Sequence, residues 1–434
     1  MAPPEERIAH HLDKVCALPA RNRTSLLLVL LVQALNSFSD NFVKMLIIVF
    51  AHAVAKGTRL GDNIQVYLGI IFSLPYVFFA PVAGYFSDRH SKKRVIFWMQ
   101  FVQIFIFAGF IAAFSLRDAQ LSVVLGMILF FVLATQAAFF APAKMGILKE
   151  LVGSRRLGLV SGVQQMSMFA AILAGYAVAG EWFGRKIGAG IDPWNAAQFA
   201  LWTVTALAVL QTVAAAFVQR TEEHHDVPWR TSLWWEHFGN MRIVFRAQAV
   251  GVAALGIAFF WFMSNGIGTI LVGLCNEAFP VEKTSSQMKG IFSLLLGVGV
   301  VFGSLLSSVI CRRSIRLGIV PAALFALAGV LFVATAVPAQ GSAFYLVMTL
   351  IGFTAGAFMV PLYGFVLDRS AENERAQVLA GIGLIDCIGG TGANLLVLGL
   401  LTAHVSSAFQ IGLMGVITIG SAFFMLRLRR FRGH

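Results

Sequence analysis

Apolar runs of about twenty residues or more, broken by short polar segments, repeat along the whole chain. A helix crossing the ~30 Å hydrocarbon core of a bilayer needs about 20 such residues. That rule predicts twelve membrane-spanning helices in an all-α integral membrane protein. They fall at roughly 25–55, 64–86, 95–115, 119–143, 157–184, 193–219, 246–274, 287–311, 317–338, 341–367, 376–402 and 405–426. The first run is too long for a signal peptide, and no small-residue cleavage site follows a short apolar core. The longest polar stretch, Arg220 to Arg246, divides the spans six and six. The expected organisation is an N-terminal segment (1–24), a six-helix bundle (25–219), a linker (220–245), a second six-helix bundle (246–426) and a basic tail (427–434).

Composition agrees. Of 434 residues, 58% are hydrophobic and 12% charged, against roughly 45–50% and 25% in soluble domains. A soluble enzyme, a disordered chain and a nucleic-acid-binding domain are excluded. The net charge of +13 reflects topology instead. With a cytoplasmic N-terminus, the inside segments hold 25 Lys and Arg, while the outside loops hold seven: Lys56, Arg59, Arg117, Arg185, Lys186, Lys283 and Lys289. That bias places both termini in the cytoplasm. Cys16, Cys275, Cys311 and Cys387 form no CxxC pair, so neither a disulfide framework nor a zinc site is indicated. The linker cluster Glu222-Glu223-His224-His225-Asp226 reads as solvated polar chain rather than a metal site. No GxSxG, HExxH or Walker loop occurs, and no histidine has an aspartate five positions on, so neither an enzyme nor a cofactor is expected.

Charges at membrane depth are costly and are functional candidates by default. In the first span, NSFSDNFVKMLIIVF, Asp40 and Lys44 are four residues apart, on one helix face and close enough to pair. They read either as a structural ion pair or as an acid and a base offered to a zwitterionic ligand, with Asn41 beside them. Asp386, in GLIDCIGGTGANLL, has nothing within a turn to neutralise it. It faces a polar cavity, carries a proton, or hydrogen-bonds backbone at a helix crossing. Gly299 with Gly303, and Gly352 with Gly356, are spaced for close helix packing. Pro75, Pro81, Pro142 and Pro361 are expected to kink or end their spans.

Two six-helix halves on a cytoplasmic linker resemble the major facilitator superfamily, whose substrate sites lie mid-membrane between rocking halves. GYFSDRHSKKR, between spans 2 and 3, resembles the superfamily's G-x-x-x-D-[RK] loop. The resemblance makes Gly84, Asp88, Arg89, Lys92 and Arg94 a conformational latch, with Asp88 pairing to neighbouring helix ends and Gly84 allowing close approach. The corresponding loop between spans 8 and 9 has Ser308 where an acid would stand, so the latch is expected on one side only.

Further strings are similar to the bacterial lysophospholipid transporters, in particular the transporter half of transporter–acyltransferase fusions: SDNFVK, LPYVFFAPVAGYFSDRHSKKRV, FFAPAKMGILKEL, AAILAG, LGIVP and VPLYGFVLDRS. In order, they cover most of the chain. This resemblance implies movement of lysophosphatidylethanolamine-like lipid from the outer to the inner leaflet of the bacterial inner membrane, without ATP. Asp40 would receive the ammonium and Lys44 the phosphate. The implied partners are membrane lipid and a separate acyltransferase, with the chain acting as a monomer. Departures lie in the cavity. Where the family tends to show Asn and Glu in span 5, this chain has Ser161 and Gln165. Span 7 offers Ser264 and Asn265 where some members carry Arg, and span 11 has Gly383 and Asp386. Gln165, Asn265 and Asp386 join Asp40, Asn41 and Lys44 as candidate substrate contacts. The alternative is a proton-coupled transporter or exporter of another amphipathic or small polar molecule.

Overall fold

A computed structural model describes residues 20–221, 223, 233–311, 316–370 and 375–431, which are almost wholly helical and contain no strand. The twelve long helices are α1 (Ala20–Val54), α2 (Ile64–Arg89), α3 (Lys92–Ser115), α4 (Ala119–Val152), α5 (Ser154–Gly188), α6 (Pro193–Ala216), α7 (Gln248–Ala278), α8 (Glu282–Ile310), α9 (Ile319–Ala336), α10 (Ser342–Arg369), α11 (Arg375–Thr402) and α12 (Ser407–Met425). Among the described residues, eleven are long and apolar enough to cross a membrane. The twelfth, α5, has 35 residues and is more polar. Two further helices are shorter: a single turn, Arg59–Asp62, precedes α2, and Leu233–Arg246 lies within the expected linker.

Local sequence sets the ends. Asp192 accepts from the amides of Trp194 and Asn195 with Pro193 at the first helical position of α6, and Ser406 accepts from Phe409 N at the start of α12. Pro75, Pro81, Pro142 and Pro361 lie inside helices and end none of them. Several helices outlast their apolar runs. At 34 residues α4 is about 51 Å long, well beyond the hydrocarbon core. Lys144, expected in a loop after span 4, is therefore a helix residue. Lys289, counted among the loop cations, is a buried residue of α8.

One buried apolar cluster draws on α7–α12, joined among the described residues by Val66 of α2, with Ile70 of the same helix packed against it. The others draw on α1–α6, joined by Val272 of α7. The helix Leu233–Arg246 packs on α11, where a Cβ at Gly381 would lie 2.6 Å from Asn240 O.

The seam between α8 and α10 depends on glycine. A Cβ at Gly352 or Gly356 would run into the carbonyls of Leu296 or Val300, and one at Gly299 or Gly303 into those of Thr349 or Phe353. This is the expected small-residue packing, backbone against backbone. Gly352→Ala is expected to lower unfolding free energy by about 1–3 kcal/mol through overpacking. Gly84→Ala, whose Cβ meets nothing within 4 Å, should change it by less than about 0.5 kcal/mol. Thermal melts of the two purified variants check the contrast, which equal midpoints would refute.

Candidate functional site

Asp40 sits midway along α1 in a cage of amides. Its Oδ2 accepts from Asn36 Nδ2 at 2.7 Å and its Oδ1 from Gln103 Nε2 of α3 at 2.8 Å. Gln100 Nε2 in turn donates to Asn36 Oδ1 at 2.9 Å, so successive donors run towards one carboxylate. Asp40 and Lys44 share a helix face but no ion pair joins them, which sets aside the structural-pair reading of the two. Each carboxylate oxygen holds one amide donor and can accept another, and the cation acting on the group is Lys144 of α4. Lys44 turns towards aromatic rings, 5.5 Å from the Phe72 centroid and 6.0 Å from that of Tyr176. Among the described residues, no carboxylate lies within ion-pair distance of Lys44. Asn41 donates to Ser37 O within its own helix at 2.8 Å.

Tyr76 of α2 lies within electrostatic reach of both Asp40 of the first half and Cys387 of α11. Asp386 adjoins Cys387 and acts on Tyr363 of α10. Its Oδ1 is buried with no hydrogen-bond partner among the described residues. Asn265 donates to Trp261 O at 2.9 Å and lies against α11, where a Cβ at Gly390 would be 2.9 Å from its Nδ2. Ser264 is exposed and borders a small apolar cavity of about 70 Å³ with Phe260, Leu296, Val300 and Ile351. The Gln165 side chain lies outside the described residues.

The halves meet at the end away from the chain termini. Along α5 and α8, close approaches run from Gly188 against Lys283, through Gly180 against Ser286 O and Gly290 against Ala177 O, to Gly297 against Leu173. On α8 this spans about 21 Å. Beyond it, α8 packs on α10 instead. On the other flank Gly69 of α2 abuts Asn394 of α11, whose Oδ1 accepts from Thr269 of α7 at 2.8 Å. Nearer the termini, a Cβ on Gly84 or Gly383 would meet nothing within 4 Å. The close approach expected of Gly84 is therefore absent in this arrangement.

The expected latch residues engage their own surroundings. Arg89 donates to Tyr85 OH at 2.5 Å, Lys92 pairs with Glu150 of α4 at 2.5 Å, and Arg94 pairs with Glu223 at 3.3 Å. Asp88 is exposed at the end of α2. The start of the linker is stitched to this loop, Lys92 N donating to Thr221 Oγ1 at 2.9 Å.

Lys144, Gln103 and Tyr76 went unrecognised in the sequence. Lys144 directly follows the apolar run of α4, where a hydropathy window reads a loop. Its sole signal is the Pro142-Ala143-Lys144 step, where a proline need not end a membrane helix.

The sequence pattern of the Major Facilitator Superfamily matches residues 29–394. The lysophospholipid transporter of Photorhabdus laumondii is 26% identical over 397 residues, which are 91% of this chain and 91% of that protein. That of Salmonella typhimurium is 27% identical over 394 residues, 88% of each chain. A crystal structure of a peptide transporter in complex with sulfate superposes with a TM-score of 0.70 at 13% identity, covering 97% of this chain and 98% of that one. A proton-dependent oligopeptide transporter superposes at 0.66, with 13% identity and coverage of 94% and 98%. At such identities the solved structures bear on the fold alone.

Proposed function

The chain belongs to the major facilitator superfamily, and on that premise we propose that it carries lysophospholipid across the bacterial inner membrane by alternating access. The observation that carries the reading is the central constellation of opposite charges. Asp40 and Asp386 offer carboxylates from the two halves, and Lys44 and Lys144 offer ammonium groups from the first. A zwitterionic headgroup needs both signs within one site: ammonium to carboxylate, phosphate to lysine. Lys44 is available for the phosphate because it forms no ion pair with Asp40. The single acyl chain stays in lipid, the cavity beside Ser264 being too small to hold it. With both termini cytoplasmic, closure at the far end makes this arrangement inward-facing, ready to release cargo to the inner leaflet.

The second reading, proton-coupled movement of another amphipathic or small polar molecule, draws on the unpartnered Asp386 oxygen. Uptake of labelled lysophosphatidylethanolamine by proteoliposomes decides between them. The expected result is uptake without a proton gradient, retained in Asp386→Asn. Absence of uptake, together with ligand-driven proton movement that Asp386→Asn abolishes, would establish the second reading.

A further inference from the structure

The closed end holds a charge that the central constellation does not use. Lys289 is fully buried, at 0% exposure, about 10 Å along α8 from Glu282. Its ammonium lies 3.2 Å from Nδ1 of His52 on α1, itself only 3% exposed. On the other side of the ring, Nε2 is 3.3 Å from Asn276 Nδ2 of α7, and Asn276 Oδ1 accepts from Ser285 Oγ at 3.1 Å. His52 belongs to the first half, and Lys289, Asn276 and Ser285 to the second. The Lys289–His52 contact therefore exists only while the halves touch.

An accepting imidazole nitrogen supplies no negative charge. Among the described residues, no carboxylate reaches ion-pair distance of Lys289. The strongest anionic influence is Glu282, whose Oε1 accepts from Ser286 Oγ at 3.0 Å, while Lys56 adds a second positive charge to the surroundings. Burying an ammonium without a countercharge is costly, and an apolar residue would seal such a contact at lower cost. The open arrangement supplies the reason for a lysine. When α1 and α8 part, the ammonium loses its His52 acceptor, and the Asn276 Nδ2 group that faces His52 is uncovered beside it.

We propose that Lys289 is an anion-receiving group capped by His52: when this end opens, its ammonium binds the phosphate of an entering single-chain amphiphile. Phosphate replaces His52 as the acceptor and supplies the missing negative charge. Occupancy then holds the end open until the headgroup moves on to the central constellation, after which His52 returns. The proposal rests on the reading of a phosphate-bearing lipid as cargo.

Gln287 reports opening. It lies in the α5–α8 contact, where its Cγ would be 2.6 Å from a Cβ at Gly184 and its Nε2 donates to Glu181 at 3.3 Å. The full chain carrying Gln287→Cys, with Cys16, Cys311 and Cys387 changed to serine, is placed in nanodiscs and labelled with a maleimide. Lysophosphatidylethanolamine and lysophosphatidic acid are expected to accelerate labelling, whereas a monoacylglycerol of equal chain length does not. Lys289→Gln should raise the half-response concentration by about tenfold or more, the scale of one charge-assisted hydrogen bond. Lys289→Arg keeps the response, and His52→Ala, which removes the cap, lowers the half-response concentration. A Lys289→Gln chain that responds like its parent, an equally effective monoacylglycerol, or no response to either phospholipid overturns the proposal. Lysophosphatidylethanolamine uptake by the same chains separates the two readings. A Lys289-dependent response to lysophosphatidic acid without that uptake removes the transport reading alone. Uptake with a response indifferent to Lys289 removes this inference alone.

Discussion

Asp40→Asn is expected to reduce lysophosphatidylethanolamine uptake by about 100-fold or more, because two charge-assisted hydrogen bonds of ~1.5–3 kcal/mol each are lost or weakened. The carboxylate is the shared acceptor of an amide relay, with Asn36 on one oxygen and Gln103 on the other. An asparagine presents an NH₂ group to one neighbour, so the Gln103 amide must turn over to accept it through Oε1, and the bonds that re-form are no longer charge-assisted. The substitution also removes the carboxylate whose field acts on Lys144. Lys144→Gln should therefore impair uptake as well, and the double variant should be less impaired than the two single effects combined. Asp40→Asn uptake within twofold of the unmodified chain, in protein of equal monodispersity, would remove Asp40 from the site.

Gly180→Val is expected to stop turnover by a different route, leaving the folded protein intact. A Cβ at Gly180 would lie 2.6 Å from Ser286 O and 3.1 Å from the Gly290 backbone. That contact joins the two halves, so the branched side chain can be accommodated by keeping them apart. Uptake should fall by about 5- to 150-fold, since a clash costing roughly 1–3 kcal/mol now opposes one state of the cycle. Maleimide labelling of Gln287→Cys should rise in the same protein, while its melting midpoint stays near that of the parent. Gly352 offers the contrast: its partner, Leu296 O, belongs to the same half, and the strain there has no rigid-body escape. A Gly180→Val chain that transports normally would show that the α5–α8 contact is not needed in the cycle.

Much of this architecture was legible because a bilayer imposes its thickness on every span. Apolar runs and polar breaks locate twelve helices, and Gly299, Gly303, Gly352 and Gly356 form the interlocked seam their spacing implies. The site was less legible, because spacing along one helix says which groups can meet but not which neighbour arrives first. Asp40 and Lys44 satisfy the i,i+4 rule, yet Gln103 and Asn36 take both carboxylate oxygens. Lys144 was hidden by the hydropathy window, which ends the fourth span one residue before it, and Lys289, two residues inside the predicted start of the eighth, was counted with the loop cations. A helix continues wherever its backbone bonds can, and a neighbouring helix then decides whether the charge is buried. His52 offered no motif at all, since Asn276 and Lys289, its partners in the second half, lie more than two hundred residues away.

The stitching of the linker's first residues to the loop before α3 has a mechanical consequence. Thr221 and Glu223 are held by Ser91, Lys92 and Arg94 of the first half, while the helix beginning at Leu233 rests on α11 of the second. The covalent tether between the halves is thus not the whole polar stretch but the ten peptide steps from Glu223 to Leu233. Fully drawn out, these reach about 33–36 Å. The chain is a leash of fixed length on the side nearest the termini, and it caps how wide that side can gape whatever the cargo.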